Sequence, residues 1–448
     1  MTNSFAKDYY CIVECIAGGI NMHELAKNLN GILKGTCAAE LLSDYGRRMY
    51  VPKGILVQSA EAKAKANKYN ATIGVALENG SVMYIPAMKE QFAPTMKASE
   101  IFPYAPMGGV PALRKIWKED MLEKNPLLKG KSISLPIVTC GLTNALSIVC
   151  SLFLEIGGNV VLPDMYWENY NLILDEQREA NKVMFPLFSG NGFNTKGLEE
   201  AIASTTGPVM VILNFPNNPT GYTPTPSEAD EIVALLKRQA AKGRKIAIVT
   251  DDAYFGLFFD DEPFHQSLFA KLCDADENIL AIKCDAATKE CMVWGFRVAF
   301  ITYGCKGMTD EQYDALMQKT MGAIRGSLSN CAMSSQQIII KGMSDESYNR
   351  DKNVGVRKLG ERYFKLKETL KKHEEEDFLK ALPFNSGYFM SFWCKCKAED
   401  LRQKLLNDYQ TGIIRNDDHH VRIAFSSVDA EKIEDLIDTV YKAASELV

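Results

Sequence analysis

The chain holds 448 residues, 46% hydrophobic and 24% charged, with 51 basic against 56 acidic side chains and a formal net charge of −5. A chain of this length and balance is globular and large enough for two domains, or for one large domain with a satellite. The acidic balance and short, scattered basic groups exclude nucleic acid as an expected partner, and no apolar run reaches the roughly 18 residues a membrane span needs.

Residues 22–33 and 38–50 space their apolar side chains as helices do, Pro52 and Gly54 close the second segment, and 60–66 is a third helix by propensity. This head is either a cap on the body or an arm toward a partner subunit. Residues 71–76 predict a strand ahead of a Glu78-Asn79-Gly80 turn. The rigid stretch from Phe102 to Gly109 leads into a helix at 111–122, with Pro111 suited to its start. Strands then alternate with helices. Strands are predicted at 136–139, 159–162, 182–187, 209–213, 245–250, 279–282 and 298–302, and helices at 143–154, 167–176, 198–203 and 227–242. The strands are almost continuously apolar, which predicts a largely parallel sheet covered by helices on both faces. A second, α+β region follows, with helices at 310–324, 334–341, 347–375, 400–408 and 430–447 and strands at 387–392, 412–415 and 421–425.

Twelve cysteines stand singly apart from Cys394 and Cys396, which alternation along a strand would send to opposite faces. The five histidines show no metal spacing, so no metal centre is expected. Scattered cysteines suit a reducing compartment, and Lys7, Asp8 and Glu14 argue against a secretory signal. The expected location is the cytoplasm.

Ligands of parallel sheets sit at the carboxyl ends of the strands, and four such ends carry unusual residues. Thr139-Cys140-Gly141-Leu142-Thr143 is strand, glycine turn and helix start. Its free N–H groups make either an anion site or a simple loop closure. Asn214-Phe215-Pro216-Asn217-Asn218-Pro219-Thr220-Gly221 is either a stiff turn or, with a cis bond before Pro219, a device that aims the Asn218 amide inward. Asp251-Asp252-Ala253-Tyr254 either caps a helix or gives Asp251 a cationic partner. Lys289 follows the buried strand at 279–282, and Gly295-Phe296-Arg297 leads into the next. An unpaired buried ammonium costs several kcal/mol. A lysine that forms a Schiff base escapes that cost, and a surface lysine in a loop is the plain alternative.

Together, Tyr104, Trp167-Glu168-Asn169-Tyr170, Asn218-Pro219-Thr220-Gly221, Asp251 with Ala253-Tyr254, Lys289 with Arg297, and Arg422 resemble the class I aminotransferases. These are fold type I enzymes that use pyridoxal 5′-phosphate (PLP). The resemblance runs from about Thr72 to the C-terminus. The segments from Tyr104 to Gly109 and from Ile324 through Arg325 to Asn330 are similar to the aspartate and aromatic branch.

The resemblance implies an α/β fold with a large domain at 83–355, built on a mainly parallel seven-stranded sheet flanked by helices. It implies a smaller α+β domain from 1–82 and 356–448. It implies that Lys289 bonds the cofactor and shuttles the proton, and that Asp251 pairs with the ring nitrogen. Asn218 and Tyr254 would bond the ring hydroxyl oxygen, and Trp167 would stack on the ring. Arg297 would hold the phosphate, with backbone groups of Gly141, Leu142 and Thr143. Tyr104 would reach the phosphate of a neighbouring subunit, implying a homodimer with shared sites. Arg422 would grip the substrate α-carboxylate, and Gly74 and Phe389 would line the pocket. Arg325 either answers its helix dipole or crosses the dimer to a distal carboxylate. Phe384, Tyr388, Phe389 and Trp393 are either a side pocket or strand packing.

Three features depart from the family pattern. Ala286 stands where a serine usually touches the phosphate, Cys331-Ala332-Met333 replaces the usual prolines, and the N-terminal extension is longer. The expected activity is ping-pong transfer of an amino group between an L-amino acid, either aspartate or glutamate or an aromatic one, and a 2-oxo acid such as 2-oxoglutarate. A PLP-dependent lyase or decarboxylase on the same scaffold is the alternative enzyme, and a non-catalytic regulator on such a body is the alternative outside enzymes.

Overall fold

The computed structural model describes residue 22 and residues 24–50, 77–78, 81–82 and 96–448. The segments at 60–66 and 71–76, and Gly74 with them, lie outside the described residues.

Seven strands form one sheet: β1 (Ile137–Thr139), β2 (Asn159–Pro163), β3 (Asn181–Phe185), β4 (Val209–Asn214), β5 (Ile246–Asp252), β6 (Ile279–Ala286) and β7 (Ala299–Gly304). Their order is β1-β7-β6-β5-β4-β2-β3. Neighbours are parallel except at β7, which runs against both β6 and β1.

The inner strands are apolar on both sides because both sides are covered. Ile212, Val249 and Ile282 cluster with the helices Leu142–Phe153 and Asp310–Leu328. Val211, Ile248 and Ala281 cluster with Thr195–Ser204 and Pro226–Ala240. The period of two therefore sends Asp251 to the first face and Asp252 to the second. The helix Pro226–Ala240 starts where Thr225 and Glu228 cap each other's backbone N–H, with Pro226 in its first turn. It buries Ile232, Leu235 and Leu236, each worth about 1.5–3 kcal/mol.

A second sheet of β8 (Leu379–Ala381), β9 (Met390–Cys394), β10 (Ile414–Arg415) and β11 (His420–Ile423) is antiparallel in the order β8-β9-β11-β10. It shares a separate core with the helices Tyr348–Leu370, Ala398–Asp408 and Ile433–Ser445. Strand β8 has no counterpart among the predicted segments.

Residues 24–50, which the sequence reading groups with the C-terminal region, pack instead on the large sheet's own core. Leu29, Leu33, Cys37, Ala38 and Leu41 join the cluster around Val249. The predicted helix at 38–50 is split into Cys37–Leu41 and Asp44–Arg48, because Ser43 leaves the helix to cap the second one. Its hydroxyl also donates to Ser151 O at 2.6 Å. The buried Lys319 ammonium donates to the carbonyls of Gly46, Arg47 and Met49 at 3.0, 3.2 and 3.1 Å. Burial alone pushes that ammonium down to about 8.

Other differences have local causes. Strand β6 runs to Ala286, four residues past the predicted end, because Lys283 and Asp285 pair with each other inside the protein rather than facing water. The predicted helix at 167–176 is reduced to a five-residue π-helical segment, Leu172–Glu176, since Trp167 and Tyr170 turn inward. The peptide bond in the cis form is Phe215–Pro216, not the one before Pro219.

Candidate active site

The carboxyl ends of β1, β4, β5 and β6 meet around a cavity of about 210 Å³. Leu142, Thr143, Trp167, Asn214, Asn218, Asp251, Ala253, Tyr254, Thr288, Lys289 and Arg297 line it. This is where a sheet of this topology binds its ligand.

One end is built for an anion. Gly141 has φ +80°, and the helix Leu142–Phe153 begins at the next residue with its N–H groups free. The Arg297 guanidinium lies against the bare Cα of Gly141, where any Cβ would collide with Nη2. Arg297 itself sits in the left-handed region at φ 53°, ψ 53°, and its Nη1 donates to Trp294 O at 3.0 Å. A planar cation and a helix start therefore face the same point.

The opposite end is a buried carboxylate. Asp251 accepts the Tyr170 hydroxyl at 2.5 Å and the Ala253 N–H at 3.1 Å. Burial pushes its carboxyl up, while Tyr170, Ala253, Lys289 and Asn214 oppose that rise. Asn214 ties two strand ends together, donating to Asp251 O at 2.8 Å and accepting the Asn218 N–H at 2.7 Å.

Lys289 belongs to the single turn Ala287–Glu290 that follows β6. Its Nζ lies 4.6 Å from the centre of the Tyr254 ring. Burial lowers its pKa, Asp251 raises it and Arg297 lowers it, with a net fall from the ordinary lysine value. An amine so placed is less basic than a surface lysine, so more of it is unprotonated and nucleophilic near neutral pH.

A second cleft of about 550 Å³ shares Trp167 and Asn218 with this cavity and reaches Arg422, Ile414 and Asn416 on the small domain. Arg422 Nη1 donates to Asn218 Oδ1 at 2.8 Å, and its guanidinium stands 4.3 Å over the Phe389 ring. Its Nε is buried without a partner, a donor left over for an incoming acceptor. Tyr388 and Phe389 meet the Tyr254 ring edge to face at 5.4 and 5.3 Å.

Of the residues singled out in the sequence, Leu142, Thr143, Trp167, Asn218, Asp251, Tyr254, Lys289 and Arg297 line one cavity, with Gly141 beneath Arg297. Arg422 and Phe389 stand at its mouth. Tyr104 and Arg325 do not join them. Tyr104 is 67% exposed, and Arg325 is exposed with Nη1 on Ser329 Oγ at 2.5 Å. Cys331 is buried and donates to Val138 O on β1 at 3.6 Å, packing where the family pattern has proline.

Sequence reasoning gave no role to Tyr170, Asn214 or Thr288. Tyr170 had a signal, since it lies one turn beyond Trp167. Asn214 had one in ending a buried strand with an amide.

The fold is a fold type I α/β architecture with a lysine, an aspartate and an arginine converging at its strand ends. Residues 72–440 match the family described as aminotransferase class I and II, and the chain belongs to that family. It is 28% identical over 204 residues to a probable aspartate/prephenate aminotransferase of Aquifex aeolicus, covering 44% of this chain and 48% of the relative. The chain thus spans about half the length of that curated relative. Over a longer stretch of 372 residues it is 22% identical to a mitochondrial aspartate aminotransferase of Dictyostelium discoideum, covering 80% of this chain and 82% of the relative. The crystal structure of an aminotransferase from Anaerococcus prevotii superposes with a TM-score of 0.69 at 22% identity, covering 96% of this chain and 98% of that one.

Proposed function

We propose that the protein is a PLP-dependent aminotransferase acting on an L-amino acid and a 2-oxo acid. The observation that carries this reading is Lys289, an amine made less basic by burial, held in one cavity with Asp251 and Arg297. The donor set fits the cofactor: a guanidinium and free helix N–H groups for the phosphate, a buried carboxylate for a ring N–H, and the Trp167 ring for a pyridine face. Bound PLP supplies an electron sink for negative charge developing at the substrate Cα.

The remaining chemistry belongs to the chain. Asp251, kept in reach of ionisation by Tyr170, holds the ring proton. Lys289 would hold the cofactor and, with its amine free, would carry the proton at the substrate Cα. Asn218 and Tyr254 bond the ring hydroxyl oxygen. Arg422 orients the α-carboxylate with a planar fork, one arm of which already rests on Asn218. The names of the relatives, a probable aspartate/prephenate aminotransferase and an aspartate aminotransferase, support aspartate as donor; glutamate or an aromatic donor, with 2-oxoglutarate as acceptor, rests on the sequence resemblance.

The exposure of Tyr104 and Arg325 supports a homodimer in which both reach a neighbouring site. A large domain near 83–355, completed by residues 24–50 and faced by the C-terminal unit, fits the two separate cores. No helix among the described residues is long and apolar enough to cross a membrane, and a cytoplasmic location is part of the same proposal.

Product analysis tests the reading. Mixing PLP-loaded protein with a donor alone yields the 2-oxo acid and pyridoxamine phosphate in equal amounts, and added 2-oxoglutarate restores PLP. Release of ammonia or CO2 without pyridoxamine phosphate contradicts it. Arg422→Lys raises KM for both substrates on the order of a hundredfold, because a point charge cannot reproduce the two-pronged contact.

A further inference from the structure

We propose that Lys283 is a positioning residue for the active site, holding from the opposite face of the sheet the two strand ends that carry Asp251 and Lys289. The inference rests on the aminotransferase reading for its kinetic measurements.

Lys283 lies on β6 with a side chain 1% exposed. Its Nζ is 2.7 Å from Asp252 Oδ2 and 2.8 Å from Asp285 Oδ2. Asp252 and Asp285 are register partners across the parallel β5–β6 pair. Each is locked on its outer side. Ser267 Oγ donates to Asp252 Oδ2 at 2.6 Å, and Trp117 Nε1 donates to Asp285 Oδ2 at 3.0 Å. Trp117 in turn stacks on Phe300 at 4.1 Å, and Phe300 is the register partner of Asp285 on β7. The Phe255 ring, one residue beyond Tyr254, lies 5.0 Å from the ammonium.

Both carboxylates lie close in the chain to site residues. Asp252 follows Asp251, and their side chains leave β5 on opposite faces. Asp285 stands just before Ala286, the residue that starts the turn carrying Lys289. Two buried carboxylates set side by side repel, and the ammonium between them offsets that repulsion where the two paired strands end. Burial has already pushed Asp252 up to about 6. Replacing buried ion groups of this kind by well-packed apolar residues of like volume is often neutral or stabilising. Stability alone therefore does not account for three buried charges, one of whose oxygens, Asp285 Oδ1, has no partner. Geometry does, because displacing a catalytic group by about 1 Å costs on the order of a hundredfold in rate.

The test compares wild type with Lys283→Met in three measurements: titration of apo-protein with PLP, kcat and KM for the amino donor, and the thermal midpoint of the apo form. Leu236→Ala, in the helix Pro226–Ala240, is the control for lost stability without a change at the strand ends. The proposal predicts PLP affinity lowered about tenfold and kcat about a hundredfold, with KM within about twofold because Arg422 stands on the other domain. The control keeps wild-type affinity and kcat whatever its midpoint. Lys283→Met/Asp285→Asn, which removes one of the facing carboxylates, recovers most of the affinity. If Lys283→Met does not fold, Trp117→Phe serves, with an expected loss of about threefold in affinity and a fall in kcat rather than a rise in KM. Wild-type affinity and kcat in the folded variant overturn the proposal. Wild type that binds no PLP overturns the aminotransferase reading instead, so the two failures are told apart.

Discussion

The Tyr170 hydroxyl donates to Asp251 Oδ2 at 2.5 Å, and both groups are almost wholly buried. The bond opposes the rise that burial imposes on the Asp251 carboxyl. Tyr170→Phe removes it, so the carboxyl rises further and its ionised form is lost at a higher pH. The acid limb of the pH profile of kcat/KM therefore moves to higher pH while the alkaline limb stays. A net hydrogen bond to a charged group is worth about 1.5–3 kcal/mol, so turnover at neutral pH falls about tenfold or more. A rate profile between about pH 5 and 9 measures both effects.

Gly141→Ala attacks the other end of the cavity. Alanine at φ +80°, ψ 166° costs about 1–3 kcal/mol, and its Cβ drives the Arg297 guanidinium off its seat. The expected result is a PLP dissociation constant raised about tenfold, with kcat nearly unchanged once the cofactor saturates. Absorbance titration of the apo-protein reads the first, and assays at high PLP read the second.

Glu290 follows Lys289 and anchors its turn through Lys124 and through Lys352, 2.8 Å away. Burial raises its carboxyl, but the two ammonium groups outweigh burial and hold it at about 2, below the ordinary 4.5. A depressed carboxylate stabilises the fold above its unfolded pKa and loses that contribution as pH falls from about 4.5 toward 2. Glu290→Gln takes the carboxylate from Lys352 and leaves Lys124 with Asp120 alone, and costs about 3–5 kcal/mol at neutral pH. The gap between wild type and variant shrinks through that acid window, and urea titrations at stepped pH values check it.

The parts of the site legible in the sequence share one property. Gly141 is itself the glycine after an apolar run, and Asn218, Asp251 and Lys289 each come after one and sit beside a proline or acid, so local pattern marks both the strand and its end. Lys283 escaped notice for the converse reason. A lysine reads as the end of a strand, and only its two carboxylate partners, one of them 31 positions back in the chain at Asp252, make it an interior residue. Tyr170 was hidden because its task depends on a partner 81 residues away. The break at Ser43 was likewise legible only with Ser151 in place, since propensity alone continues the helix. Tyr104 and Arg325 point away from their own cavity, so a single chain gives them no role.

The central claim is that Lys289 carries the cofactor, and borohydride reduction of PLP-saturated protein followed by peptide mapping tests it most directly. The account predicts one phosphopyridoxyl group per chain, on the peptide containing Lys289, and none on Lys289→Ala. An unlabelled Lys289 peptide in saturated protein, or a label held equally by the variant, contradicts it.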